Sequence, residues 1–361
     1  MKITKILFVA GLISLIFATS LAAASQELSA AGGKNLRSGN MHLSGKRFEK
    51  ALPLYESVLE ENPHNIEAMQ NVAAIYYDNK MQYAVAYDYY TLIIAEIEDL
   101  FAEYETKKQT DEKAASKFYK KQIKKPKYNK VIDDMKKLKQ SCWIKLFNKG
   151  QEFYKAEAYE EALAEYETLK VMAPDSIKTH KMIAMIYTKK GDTEKAIDAY
   201  KNISNQNPAD MAPIQQVAAL LYGQEKFAEA ADWYIKAIEL DPSNIDDYYN
   251  AAICYSKAEN NVDAFTYYAK TVEIDPTHFD AIINASNSAL ANEDVDNQLL
   301  YLGKASEIDP GNLGIIQKVC YGYVGQQKYK EALPFAEKLK LLLPDNADID
   351  NLLTYIKSQV N

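Results

Sequence analysis

A proline recurs every 34 residues through the second half of the chain, and this spacing constrains the fold more than any other feature. The prolines are Pro174, Pro208, Pro242, Pro276, Pro310 and Pro344. A fixed period of this length is typical of stacked repeats, in which each unit packs on its neighbours and no single central core is needed. The 361 residues are therefore expected to form an array of small units rather than one globular domain.

Two places after most of these prolines stands a residue that caps helix N-termini. The capping residues are Ser176, Asp210, Asn244, Asn312 and Asn346, and the one exception is His278. Proline cannot continue a helix, whereas Ser, Asp and Asn accept hydrogen bonds from the free N–H groups of a first turn. Each unit is thus predicted to end one helix and begin the next here.

Three further columns keep the same period. The eighth place of the unit holds a small residue, in Gly39, Ala73, Gly150, Ala184, Ala218, Ala252, Ser286 and Cys320. Twelve places later alanine recurs, in Ala51, Ala162, Ala196, Ala230, Ala264 and Ala332, and one turn further on comes tyrosine, in Tyr55, Tyr166, Tyr200, Tyr234 and Tyr268. Small residues let two helices approach, and tyrosines on the same helix face fill the space beside them.

This combination of columns resembles the tetratricopeptide repeat family, whose unit is a helix, a turn and an antiparallel helix. The resemblance implies an all-α, right-handed superhelical solenoid. It covers six contiguous units at 143–346 and two more at 32–65 and 66–99. The unit at 66–99 lacks the terminal proline and has Val85 in the alanine column, and the unit at 279–312 has Gln298 and Leu302 in place of Ala and Tyr.

The chain is therefore expected to have five parts. They are a signal peptide at 1–24, an N-terminal repeat pair at 25–99, a lysine-rich insert at 100–142, six repeats at 143–346 and a capping helix at 347–361.

The first part has the layout of a secretory signal peptide. Lys2 and Lys5 precede an apolar stretch at 6–18, and three alanines at 22–24 offer a cleavage site. No cysteine follows the apolar stretch, so a lipid anchor is not expected. We predict an exported protein, periplasmic or secreted, with an uncleaved membrane anchor as the alternative.

The insert interrupts the repeat and separates the charges of the chain. From Pro63 to Pro174 is 111 residues, which is three periods plus nine. Residues 107–139 hold 13 Lys and four acidic residues, a local charge of +9 in a chain whose net charge is −8. Subtracting this segment and the two signal lysines leaves −19 on the remainder.

Apolar residues at helical spacing flank this basic segment. They are Ile94, Ile97, Phe101 and Tyr104 on one side and Val131, Met135, Leu138 and Cys142 on the other. Such stripes can pack together, so the sequence predicts two overlong helices that form a hairpin arm, with its tip near 124–127.

The arm carries a set of lysines that are candidates for binding. They are Lys120, Lys121, Lys124, Lys125 and Lys127. They form either a solvated face or a docking surface for an acidic partner or an anionic surface. Nucleic acid is not predicted, because the segment has no Arg for bidentate phosphate contacts.

Signatures of catalysis do not occur in the sequence. The four histidines lie in different repeats without metal-ligand spacing, and neither H-E-x-x-H nor a nucleophile elbow is present. The acidic pairs at 133–134 and 246–247 are predicted to be exposed, and the three cysteines to be buried small residues. No catalytic residue, metal or cofactor is predicted.

The family resemblance implies that first helices line a groove for an extended peptide or a partner's helix. Its contact places fall here on Phe147, Gln151, Tyr154, Lys178, Lys181, Met185, Gln215, Tyr222, Tyr249, Gln317 and Tyr321. The expected function is a non-catalytic protein interaction scaffold of the cell envelope. The alternatives are an envelope structural or docking protein that uses the basic arm, and an accessory subunit of an envelope enzyme.

Overall fold

A computed structural model describes residues 28–124 and 126–360. The predicted signal peptide at 1–24 and Lys125 lie outside the described residues. The described residues form eighteen α-helices and no β-strand, so the predicted all-α repeat fold is confirmed. The helices are α1 (Ala30–Ser44), α2 (Phe48–Glu61), α3 (Ile66–Ala74), α4 (Tyr83–Thr110), α5 (Glu112–Phe118), α6 (Tyr128–Lys155), α7 (Tyr159–Met172), α8 (Ile177–Lys190), α9 (Thr193–Gln206), α10 (Met211–Gly223), α11 (Phe227–Leu240), α12 (Ile245–Lys257), α13 (Asn261–Ile274), α14 (Phe279–Ala291), α15 (Val295–Ile308), α16 (Leu313–Gly325), α17 (Tyr329–Leu342) and α18 (Ala347–Val360).

The capping residues after the prolines act as the sequence predicts. The Asn244 side chain accepts a hydrogen bond from the Asp246 N–H at 3.1 Å, and Asn312 accepts one from Ile315 at 3.2 Å. His278 keeps the same role, because its Nδ1 accepts a bond from the Ala281 N–H at 3.2 Å. The exception in the column is therefore an alternative cap.

The columns of small residues and tyrosines meet inside the repeats that have both. A Cβ added to Gly150 would lie 2.8 Å from Tyr166 Cζ, and one added to Gly39 would lie 2.8 Å from Tyr55 Cε1. Both tyrosines are fully buried. The eighth place is small because the ring of the second helix lies directly against it.

The second repeat contains one additional residue, which the sequence pattern alone does not locate. After α3 the chain makes a π-helical turn at Ile75–Asn79, and such a turn accommodates an extra residue in a helix. As a result Ala86 and Tyr90 take the buried alanine and tyrosine places. The assignment of Val85 to the alanine column was therefore wrong by one residue.

Internal contacts divide the chain into two compact units, each of which contains several repeats. The first unit is Met1–Ile186 and the second unit is Tyr187–Asn361. In the second unit each helix from α9 to α18 packs on the next along the chain. Its last helix, α18, buries Ile349 and Ile356 in a cluster with α16 and α17 and leaves Lys357 exposed. The helix α18 therefore covers the apolar face of the last repeat.

The first unit contains the insert, and its core is the contact between two helices of 28 residues, α4 and α6. All eight residues of the two predicted stripes belong to one hydrophobic cluster. The segment between the helices folds back on α4, because Tyr119 lies 5.0 Å from Tyr104 between ring centroids. The far turn is thus at Asp111, which caps α5, and the predicted tip at 124–127 was wrong.

Candidate partner-binding surface

The first helices of neighbouring repeats lie side by side in the second unit. Gln215 on α10 donates from Nε2 to both carboxylate oxygens of Asp247 on α12, each at 2.9 Å. On the next pair, the Asn284 amide of α14 donates to the Tyr249 hydroxyl of α12 at 3.3 Å. These bonds join α10, α12 and α14 along one face, and α16 is the first helix of the next repeat.

Large apolar side chains are exposed on this face at the places that the family resemblance implies. Tyr222 is 36% exposed, Leu290 51% and Tyr321 49%. Tyr222 and Tyr321 were predicted from the sequence, whereas Leu290 was missed, although it stands at the same place of its repeat as Tyr222. Leu290 and Tyr321 give the face exposed apolar area, and Tyr222, whose ring also packs on Phe227 at 5.3 Å between centroids, adds to it.

Two other predicted contact residues of this unit are engaged within the protein. The Gln215 amide is bonded to Asp247, and the Tyr249 ring lies 4.7 Å from the His278 ring, between centroids. Asp247 is buried, which corrects its prediction as an exposed acid. Burial raises the pKa of the Asp247 carboxyl, while the bond from Gln215 acts in the opposite direction. Gln215 and Tyr249 thus help to hold neighbouring first helices together. The remaining predicted contact residue of this unit, Gln317, is half-buried.

The first unit presents the remaining predicted residues in varied environments. Phe147 is half-buried between Trp143, 4.9 Å away between ring centroids, and Tyr166 at 5.4 Å. Tyr154 packs on Tyr159. The exposed members of the set are Lys178 and Met185, and the half-buried ones are Gln151 and Lys181. Ile144 is exposed at the second place of its repeat and was missed, although it belongs to a predicted column.

The described candidate lysines of the arm point to solvent. Lys120, Lys121, Lys124 and Lys127 are all exposed. Lys120 to Lys124 belong to the π-helical turn after α5, and Lys127 precedes α6 with a left-handed backbone of φ 57°. The arm therefore presents its charge on the connecting segment rather than between α4 and α6.

The described residues hold little that points to covalent or metal chemistry. Cys142, Cys254 and Cys320 are buried, and burial raises the pKa of the first two thiols to about 12 and of the third to about 11. Thiols with raised pKa values are poor nucleophiles. Over residues 28–124 and 126–360 no group of three or more His, Cys, Asp or Glu is placed to hold a metal ion, and no helix has the length and apolarity to cross a bilayer.

The helices form capped pairs that follow one another along the chain, and the first helices of these pairs expose a common face. This arrangement defines a helical-repeat protein. Residues 179–210 match a family model described as tetratricopeptide repeat. The chain thus contains a stretch similar to a tetratricopeptide repeat, in agreement with the resemblance that its proline, alanine and tyrosine columns carry.

Several solved structures are similar to part of the chain. YrrB, described as a TPR protein with an unusual peptide-binding site, is 20% identical over 48% of this chain and 89% of its own, with a TM-score of 0.39. A MamA structure is 19% identical over 45% of this chain and 94% of its own, with a TM-score of 0.38. MamA from Desulfovibrio magneticus RS-1 is 15% identical over 47% and 97%, with a TM-score of 0.38. No curated protein sequence matches the chain.

Proposed function

We propose that this protein is a non-catalytic scaffold that binds an extended peptide or a helix of a partner protein on the face of its first helices. The observation that carries this proposal is the exposure of Tyr222, Leu290 and Tyr321 on that face. Aromatic side chains are enriched at the centres of protein interfaces, where they bury large areas at low entropic cost. The first helices of the second unit thus offer apolar anchors on a surface built from rigid elements.

Two exposed carboxylates on first helices of this unit favour a particular kind of partner segment. Asp246 and Asp280 are exposed at the second place of their repeats, on the helices that carry Tyr249 and Leu290. A segment with apolar side chains and a Lys or Arg would satisfy both the anchors and these carboxylates. We therefore expect apolar peptides with basic residues to bind this unit better than acidic ones.

A random peptide library displayed on phage, selected against the full chain, tests the proposal. The selected peptides should bind the triple variant Tyr222→Ala, Leu290→Ala and Tyr321→Ala at least about tenfold more weakly than the native chain. The control removes three exposed apolar side chains from second helices of the same unit, in Val262→Ala, Val295→Ala and Leu300→Ala. Equal losses in the two variants, or peptides without apolar residues, would count against the proposed face.

Export to the cell envelope is part of the proposal and is supported by the layout of residues 1–24. Alkaline phosphatase is active only outside the cytoplasm, so it reports the location of a fusion. A fusion to the full chain should be active, and one that lacks residues 1–24 should be inactive. Activity without these residues would contradict export by this segment.

A second function, docking to a negatively charged surface, is supported by the lysines of the arm. Those that the structure describes are exposed, and they lie between Pro63 and Pro174, where the 34-residue period of the sequence fails. Docking by the arm and peptide binding by the first helices use different residues and are compatible.

A further inference from the structure

Five lysines form one face of the segment that folds back on α4. This lysine face consists of Lys113, Lys117, Lys120, Lys121 and Lys124, on α5 and the π-helical turn after it. Spacings of three and four residues place these side chains on one side of a helix, and all five are exposed. The opposite side buries Ala115 and Ile123 and packs Phe118 and Tyr119 against the first unit.

The charge of the lysine face is not compensated within the described part of the chain. No ion pair involves any of its five lysines there, whereas lysines elsewhere pair with acids of neighbouring repeats, such as Lys226 with Glu194 at 3.2 Å. The nearby acids Glu103 and Glu105 pair with Lys107 and Lys108 of α4 instead. Further exposed lysines on the arm are Lys127, Lys130, Lys136 and Lys137.

The composition of the lysine face distinguishes between two kinds of negatively charged partner. Specific protein interfaces are enriched in aromatic residues and Arg and depleted in Lys, and their affinity comes from a few buried anchors. Here every large apolar side chain between 107 and 139 is buried or half-buried, and the segment contains no Arg. Flexible point charges without anchors suit a surface of many phosphates that need no fixed register.

We propose that the lysine face binds the phosphate headgroups of an anionic lipid bilayer and holds the protein peripherally at the membrane surface. This inference rests on the second proposed function, docking by the arm, and names its partner. Each lysine near such a surface contributes about 1 kcal/mol, so that five act together over a helix about 20 Å long. The contribution is electrostatic and decreases as salt screens the charges.

Vesicle flotation with the full chain tests this proposal. We expect binding to equimolar phosphatidylcholine and phosphatidylglycerol vesicles that exceeds binding to pure phosphatidylcholine vesicles and decreases with added salt. The difference between the two vesicles excludes any contribution of the apolar stretch at 6–18. Replacing all five lysines of the face by Gln should weaken the phosphatidylglycerol-dependent binding by more than about a hundredfold, at about fivefold for each lysine.

The control variant removes the same charge from exposed lysines elsewhere. It carries Lys155→Gln, Lys189→Gln, Lys257→Gln, Lys318→Gln and Lys330→Gln, and it should retain most of the binding. Equal losses in the two variants would reduce the effect to net charge and overturn the proposal. Displacement by inorganic phosphate at equal phosphate concentration would overturn it too, because it would assign the face to the free ion.

Two outcomes separate this proposal from the functions on which it rests. Capture by polyglutamate without vesicle binding would overturn the bilayer as partner and leave docking by the arm intact. Loss of vesicle binding in the triple variant of Tyr222, Leu290 and Tyr321 would place lipid binding on the first helices and contradict the arm as its site. The arm variant should bind the selected peptides as the native chain does.

Discussion

The repeats after residue 143 and the region from Ile66 to Lys155 solve the same packing problem in different ways. In the former, a buried alanine and a buried tyrosine recur at fixed places up to Tyr268, and the last two repeats keep the spacing with Leu302 and Ala336 in the tyrosine place. In the latter, a π-helical turn shifts these places by one residue, and two 28-residue helices extend beyond the repeat. Where the 34-residue period is kept, the repeated residues serve packing. Where the period is interrupted, the chain adds a surface that packing does not require.

The largest effect should come from a tyrosine of the packing column. Tyr166→Ala removes a fully buried ring that contacts Gly150 and should lower the free energy of unfolding by about 3 to 5 kcal/mol. Tyr321→Ala removes a half-exposed ring and should cost less than about 1 kcal/mol. Urea denaturation followed by circular dichroism measures both. Similar costs would show that the two classes of tyrosine are not distinct.

The shifted register of the second repeat predicts a smaller but position-specific effect. Ala86→Leu should overpack the contact between helices and cost about 1 to 3 kcal/mol, because Ala86 is fully buried. Val85→Leu, one residue earlier and half-buried, should cost less than about 1 kcal/mol. The same denaturation experiment compares the two. A larger cost at Val85 would restore the unshifted register.

The packing of α4 on α6 predicts a dependence of stability on pH. Burial raises the pKa of the Asp88 carboxyl to about 6, and Lys139 only partly offsets this effect. The folded state then holds a proton that the unfolded state releases, so this group lowers stability as pH rises from about 4 to 6. Asp88→Asn should stabilise the protein by about 1 to 2 kcal/mol at pH 7.5 and hardly at pH 4.

Thermal unfolding at the two pH values measures this difference. Asp232→Asn, at an exposed position of α11, is the control and should change stability little at either pH. A gain at Asp88 that is the same at pH 4 and pH 7.5 would contradict the burial of its charge.

The smallest effect concerns the turns within the regular repeats. Glu225 has a left-handed backbone with φ 60°, where a side chain is unfavourable and Gly is not. Glu225→Gly should therefore stabilise the fold by up to about 1 kcal/mol, after the cost of the greater unfolded-state entropy of Gly is subtracted. Glu229→Gly, inside α11, should instead destabilise by about 1 kcal/mol. Changes of the same sign at both positions would contradict the turn geometry.

The sequence predicts the repeat well because its signals are local and are repeated many times. Each capping residue, small residue and tyrosine acts within one or two helices, so the 34-residue columns identify their contacts. The π-helical turn at Ile75–Asn79 has no such signal, because it depends on how α3 and α4 pack. The burial of Asp247 was missed for a related reason: its partner, Gln215, lies 32 residues earlier, in another repeat.

The arm was predicted in part. Its two apolar stripes indicate the pairing of α4 and α6, because helical spacing is visible in the sequence. The return of α5 along α4 was missed, because only Phe118, Tyr119 and Ile123 signal it among many lysines. Exposure of Leu290 on the first-helix face follows from its place in the repeat, whereas the engagement of Tyr249 by Asn284 depends on side-chain geometry.

The continuity of α4 and α6 through the base of the arm has a mechanical consequence. The N-terminal part of α4 belongs to one repeat, and the C-terminal part of α6 belongs to the repeat at 143–176. Helical hydrogen bonds run unbroken along each of these two helices, whereas the turn at Asp111 separates α4 from the segment that bears the lysine face. A load applied at the lysine face therefore passes to α4 and α6 through the packing of α5 and the π-helical turn after it, and these two helices carry it into the repeats as levers.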